Sequence, residues 1–244
     1  MSKIYEALKK AEQDRERTRP ATVLPPPPSS GQVDGHVTTA AQQEEYQKLR
    51  TSLVSIAVPS GLHTVLVTAP NHGEGATTVS IGLASALGRE REARVLLIEG
   101  NLRTPSFRAN LPVSGGAGFA DFAGGRAAPE ALAARLDGLN FSVIQAGTLP
   151  AQGVDLELVD GLLTRVRPQF DFIVIDGPPV NAYADASVLA SRVDGVILVV
   201  EADRTPVADA EVAKRQLAKV GARILGVVLN RRRSYIPAFL ESIL

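Results

Sequence analysis

Six short runs rich in Val, Ile and Leu constrain this chain more than any other feature: residues 62–68, 94–99, 141–145, 172–176, 195–200 and 224–230. They are near-continuous rather than alternating, the pattern of strands buried on both faces. Between them, residues 77–88, 157–167, 185–191 and 206–220 carry apolar side chains at helical spacing. Strands alternating with helices predict an α/β fold, a doubly wound and mostly parallel sheet with helices on both faces. Such sheets bind ligands at the carboxyl ends of their strands, so the loops after Thr68, Glu99, Asp176 and Asn230 are the places to look for chemistry.

Composition narrows the function. With 45% apolar residues in 244, the chain can bury a sizeable core. Lys and Arg total 26 against 26 Asp and Glu, a balance that argues against nucleic acid as a partner bound by bulk charge. A net charge of zero also removes self-repulsion and suits a protein that works in an assembly. There is no cysteine, hence no disulfide, thiolate zinc site or cysteine nucleophile. Only His36, His63 and His72 are present, too few for a histidine metal cluster. No apolar run approaches the ~20 residues of a membrane span, and the charged N-terminus lacks a signal-peptide core. The expectation is a cytoplasmic chain whose membrane role, if any, comes through a partner.

Three segments follow. Residues 1–18 read as an amphipathic helix with Ile4, Tyr5, Leu8 and Ala11 on one stripe, either a docking element or a helix folded back on the main domain. Residues 19–43 hold Pro20, the run of four prolines at 25–28, Ser29, Ser30 and Gly31, and read as a flexible linker. Residues 44–244 read as one compact domain.

After the first run comes Ala69-Pro-Asn-His-Gly-Glu-Gly-Ala-Thr-Thr78, then a helix. A glycine-rich loop between a buried strand and a helix presents backbone N–H groups and the positive end of a helix dipole, both suited to phosphate. Gly73, Glu74, Gly75, Ala76, Thr77 and Thr78 are therefore candidate nucleotide-binding residues, with Thr77 where a phosphate loop places its Mg²⁺-ligating hydroxyl. The same fingerprint demands a lysine before that threonine, and Ala76 stands there. The run 172–176 ends in Asp176, a Walker B pattern in which the carboxylate holds Mg²⁺ through water. Asp185 reads equally as the N-cap of the next helix. Asn230 can meet a base edge and Arg231 can stack on it; solvated loop residues are the plain alternative. Ile236, Phe239, Leu240 and Ile243 form a helical apolar face, read as a short helix closing the core rather than a membrane anchor, because its polar face lacks lysine and arginine.

These motifs together resemble one family. The opening MSKIYEALKKAE, the segment Glu44-Glu-Tyr-Gln-Lys-Leu-Arg50, the loop GEGATT, LLIEGNLRTP, FDFIVIDGPPV, DGVILVV and GVVLNR are similar to the bacterial tyrosine kinases (BY-kinases) of polysaccharide export, P-loop proteins related to the Min and plasmid-partition ATPases. The resemblance implies ATP or ADP with Mg²⁺ as ligands and an inner-membrane polysaccharide co-polymerase as partner. It also implies homo-oligomer formation and a peripheral place at the inner membrane. The departures matter equally. The family's lysine is Ala76, and the two aspartates of its second-strand IDADLR motif correspond to Glu99 and Asn101. Its ExxRxxR oligomer motif maps to Glu44, Gln47 and Arg50, with the first arginine gone, and its tyrosine-rich tail has no counterpart beyond Tyr235. With Mg²⁺ binding weakened in this way, the expectation is a pseudokinase-like regulator with no catalytic residue intact. The alternatives are an active protein-tyrosine autokinase or a partition-type ATPase.

Overall fold

The computed structural model describes residues 39–90, 93–113, 116–123, 125–128, 132–136, 139–147 and 156–232. The proposed N-terminal docking residues Ile4, Tyr5 and Leu8, the linker to residue 38 and the apolar stripe 236–243 lie outside them.

Helix α1 (Ala40–Ser60) opens on a capping box: Thr39 accepts from the Gln42 N–H, and the Gln42 side chain accepts from the Thr39 N–H. It closes at Gly61, whose φ of 61° is the left-handed conformation that glycine adopts without strain. Strand β1 (Thr64–Thr68) leads into α2 (Ala76–Leu87) and β2 (Val95–Glu99). The short helices α3 (Phe107–Asn110) and α4 (Phe119–Ala123) precede β3 (Ala134–Arg135) and β4 (Ser142–Ile144). Then come α5 (Leu156–Val166), β5 (Phe172–Asp176), α6 (Asp185–Ala190), β6 (Gly195–Glu201), α7 (Val207–Lys219) and β7 (Ile224–Asn230).

The seven strands form one sheet in the order β3-β4-β2-β5-β1-β6-β7, parallel throughout except where β3 meets β4. All five residues of β1 and of β2 are buried, and their side chains alternate between two cores. Leu66, Leu96 and Ile98 pack with Leu162, Val166, Leu189, Ala213 and Leu217 from α5, α6 and α7. Val65, Val67 and Leu97 pack with Leu53 and Ala57 of α1 and Val79, Leu83 and Leu87 of α2. Two covered faces require apolar residues at every strand position, which is why the runs do not alternate.

The α/β expectation therefore holds, with four of the helices within a residue or so of their expected bounds. Three additions appear: β3, α3 and α4. Helix α1 is a further one, starting at Ala40. Asp185 is not the N-cap of α6, since Ala184 holds that position. Its carboxylate accepts a hydrogen bond from Arg103 Nε instead, at 2.9 Å.

Candidate functional site: a phosphate-loop cleft

The loop between β1 and α2 is built on two glycines with positive φ, Gly73 at 81° and Gly75 at 96°. Gly75 is the N-cap of α2 and supplies no side-chain cap. The first-turn N–H groups of Ala76, Thr77 and Thr78 have no acceptor within the helix and are open to an anion. A Cβ at Gly75 would stand 2.0 Å from Asn230 Nδ2, so only glycine fits there. The resulting cleft, about 280 Å³, is lined by the loop, by Asn101, Thr104 and Ser106 after β2, by Gly177 and Pro179 after β5, and by Arg231.

Beneath it, Asp176 is 1% exposed at the end of β5. Its Oδ2 accepts from Thr77 Oγ1 at 2.8 Å and its Oδ1 from Ser80 Oγ at 3.0 Å. Burial pushes the Asp176 pKa up to about 7, against the pull of those two hydrogen bonds, and Glu99 adds to the rise. Thr77 donates its hydroxyl proton to Asp176 and accepts from Ser106 Oγ at 3.3 Å, which leaves the hydroxyl one lone pair for a cation. Nucleotide phosphates fit this cradle. Mg²⁺ finds one hydroxyl and one buried carboxylate, and among the described residues no group of three or more His, Asp or Glu could hold a metal.

The two positions after β2 behave differently from each other. Glu99 is 1% exposed and does not line the cleft. Its Oε1 accepts from the Ser106 and Phe107 N–H groups at 2.5 and 2.7 Å, and its Oε2 from the Ala146 N–H at 2.8 Å. This carboxylate ties the end of β2 to the first turn of α3 and to the loop after β4. Asn101 does line the cleft, but its amide closes a local turn, donating to Thr104 Oγ1 at 2.9 Å and accepting from the Thr104 N–H at 3.2 Å.

No protein-family model matches the chain. The tyrosine-protein kinase CpsD of Streptococcus pneumoniae serotype 4 is 30% identical over 177 residues, 70% of this chain and 76% of that protein. The chain belongs to the bacterial tyrosine-protein kinase family. The solved kinase domain of VpsO agrees, at 31% identity and a TM-score of 0.69 over 79% of this chain and 97% of that domain. MinD of Aquifex aeolicus shares the fold at 19% identity and a TM-score of 0.57, over 70% of each chain.

Within this kinase-family chain, the loop residues 73–78, Asp176 and Arg231 gather at one place. Asn230 reaches it from below rather than from its wall: Nδ2 donates to the Glu74 carbonyl at 2.9 Å and Oδ1 accepts from the Arg231 N–H at 2.9 Å. The Asn230 amide thus joins the loop to Arg231. Glu44, Gln47 and Arg50 sit on α1, away from the cleft; Arg50 pairs with Glu90, and Glu44 with Lys48 at 3.3 Å.

Four contributors stand outside the site residues predicted from sequence. Ser80 supports Asp176, one helical turn after Ala76, whose carbonyl its hydroxyl also meets. Tyr46 of α1 donates to the Thr78 carbonyl at 3.3 Å. Thr205 donates to Glu74 Oε1 at 2.8 Å, and burial raises the Glu74 pKa despite that bond and those from Asn71. Tyr183 takes His72 edge-on at 5.4 Å and Arg103 over its ring at 5.8 Å. The helical spacing of 76 and 80 could have revealed Ser80. The others depend on tertiary contacts that no local pattern encodes.

Proposed function

We propose that this chain is a kinase-fold regulator of exopolysaccharide or capsule chain export or polymerisation, with weak or no phosphoryl transfer of its own. One observation carries the reading. The N-terminus of α2 faces the cleft with a methyl group at Ala76, and the only ammonium or guanidinium lining the cleft among the described residues is Arg231, already paired with Glu201 at 2.9 Å. The charge that stabilises transferring phosphate is missing at the place the reaction develops it. Asn101 compounds the loss, because an amide can neither hold Mg²⁺ by charge nor take a proton from a tyrosine. Backbone cradling remains and supports weak binding of ATP or ADP.

The same reading gives the chain an inner-membrane co-polymerase as partner and a peripheral cytoplasmic location. In keeping with it, no helix among the described residues is long and apolar enough to cross a membrane. Self-association through the α1 face around Glu44, Gln47 and Arg50 would need Arg50 to share or leave its pair with Glu90.

The test is ATP and ADP binding by calorimetry, with and without Mg²⁺, beside a phosphotyrosine assay on the purified chain and its membrane partner. The expected result is weak binding little changed by Mg²⁺ and no phosphotyrosine. Robust phosphotyrosine formation that disappears in Asp176→Asn would instead make this an active kinase, a reading favoured by the intact Thr77–Asp176 pair.

A further inference from the structure

The end of β7 holds two carbonyls of the phosphate loop, Asn230 from outside the cleft lining and Arg231 from within it. Asn230 Nδ2 donates to the Glu74 carbonyl at 2.9 Å, and Arg231 Nη1 donates to the Gly73 carbonyl at 2.9 Å. The two bonds fall on successive carbonyls of the loop, and the Asn230 amide lies against Gly75 where any Cβ would collide with it. Arg231 reaches its carbonyl from a left-handed backbone, φ 54°, a strained conformation for arginine.

The arrangement closes on itself. Arg231 Nη1 also meets Glu201 Oε2 at 2.9 Å, the Glu201 N–H donates to Thr205 Oγ1 at 2.8 Å, and Thr205 Oγ1 donates to Glu74 Oε1 at 2.8 Å. Because Glu201 answers the Arg231 charge, Arg231 is not simply a lysine relocated to another strand. What it and Asn230 give the loop is position. A trans peptide whose carbonyl is held by a donor has the N–H of the next residue fixed in the opposite direction. Fixed dipoles of that kind attract an anion without reorganising when it arrives.

We propose that Asn230 and Arg231 are positioning residues of the phosphate loop, fixing the Gly73 and Glu74 carbonyls so that backbone N–H groups bind a di- or triphosphate in place of the missing ammonium. This rests on the reading of the cleft as a phosphate site. It adds a role to the expected meeting with a base: Asn230 and Arg231 serve the phosphate end by way of the loop. In a chain with lysine at 76 such a pair would be one support among several. With Ala76 the backbone carries the anion, so the loop's geometry decides its affinity.

The experiment uses the full ¹⁵N-labelled chain and follows the amide signals of Glu74, Gly75 and Thr77 on titration with inorganic pyrophosphate and, separately, with adenosine. In the unmodified chain pyrophosphate is expected to move all three signals. Asn230→Ala and Arg231→Gln are each expected to weaken pyrophosphate about three- to tenfold, the worth of one hydrogen bond. Arg231→Lys, which keeps a donor for the Gly73 carbonyl, is expected to recover most of the loss, and adenosine affinity is expected to stay within twofold (about 0.4 kcal/mol). A merely structural role would not separate the two ligands. Three results overturn the proposal: no response of these amides to pyrophosphate, pyrophosphate binding unchanged in both variants, or a loss confined to adenosine. The phosphotyrosine assay above judges the regulator reading alone, so the two can fail separately.

Discussion

At the scale of single residues, the cleft separates what a phosphate loop needs to exist from what it needs to react. The glycines at 73 and 75 hold φ of 81° and 96°, which few other residues tolerate, and their spacing before a helix made the loop legible from sequence. Ala76 and Asn101 were legible too, because a missing charge at a known offset needs no structure to be seen. Glu99 was not. Its longer side chain turns from the cleft to three backbone N–H groups, and nothing in the sequence says which amides of Ser106, Phe107 and Ala146 converge there. Restoring charge tests this division. Ala76→Lys combined with Asn101→Asp is expected to tighten ATP in the presence of Mg²⁺ roughly ten- to a hundredfold, as one charged hydrogen bond of about 1.5–3 kcal/mol implies. Calorimetry reads the change directly. No gain in affinity would count against the phosphate-loop reading, because the same backbone would then be failing to bring the added lysine to a phosphate.

At the scale of elements, α1 shows why part of the fold was hidden. Only Leu53 and Ala57 of its 21 residues are fully buried, so it lacks the broad apolar stripe that marks a core helix in sequence. Its place is set by α2. The Tyr46 ring lies where a Cβ on Gly82 would come within 2.2 Å, and the Tyr46 hydroxyl reaches the Thr78 carbonyl in the first turn of α2. Burial of this tyrosine raises its pKa, in keeping with a ring wedged between two helices. A glycine inside a helix ordinarily lowers stability relative to alanine, but here the close approach reverses that preference. Gly82→Ala is expected to destabilise the chain by about 1–3 kcal/mol through overpacking, seen as a lower midpoint in urea. Tyr46→Phe removes only the hydroxyl and is expected to cost about 1 kcal/mol or less. If Gly82→Ala is neutral or stabilising, α1 is not seated on α2 in this way.

At the scale of the whole molecule, the sheet has a fixed end and a working end. The working end carries the loops after β1, β2, β5 and β7; a mostly parallel sheet with these loops at the carboxyl ends of its strands was implied by alternating strand and helix patterns, whereas the strand order was not. The fixed end is pinned by Asp194, just before β6. Its Oδ2 accepts from the His63 N–H at 2.9 Å, from the Thr64 N–H at 2.7 Å and from the Thr64 hydroxyl at 2.7 Å. Arg167 approaches its other oxygen at 3.4 Å. Sequence alone could not show that residues 131 positions apart share one carboxylate. Burial pushes the Asp194 pKa up, but the hydrogen bonds from Thr64 and His63, with the charge of Arg167, outweigh it and leave the pKa below its ordinary value of 3.8. A carboxylate depressed in the folded state adds stability above the unfolded value and loses it as pH falls through the folded one. Asp194→Ala is therefore expected to lower stability at pH 7 by about 1.5–3 kcal/mol, with the gap from the unmodified chain narrowing once the pH drops below about 4. Urea unfolding at neutral and acid pH measures both. A gap of constant size at every pH would mean that Asp194 contributes through packing, and that its charge does not pin the strands. Since this residue lies at the end of the sheet opposite the cleft, the substitution should leave pyrophosphate affinity unchanged at temperatures where the chain stays folded.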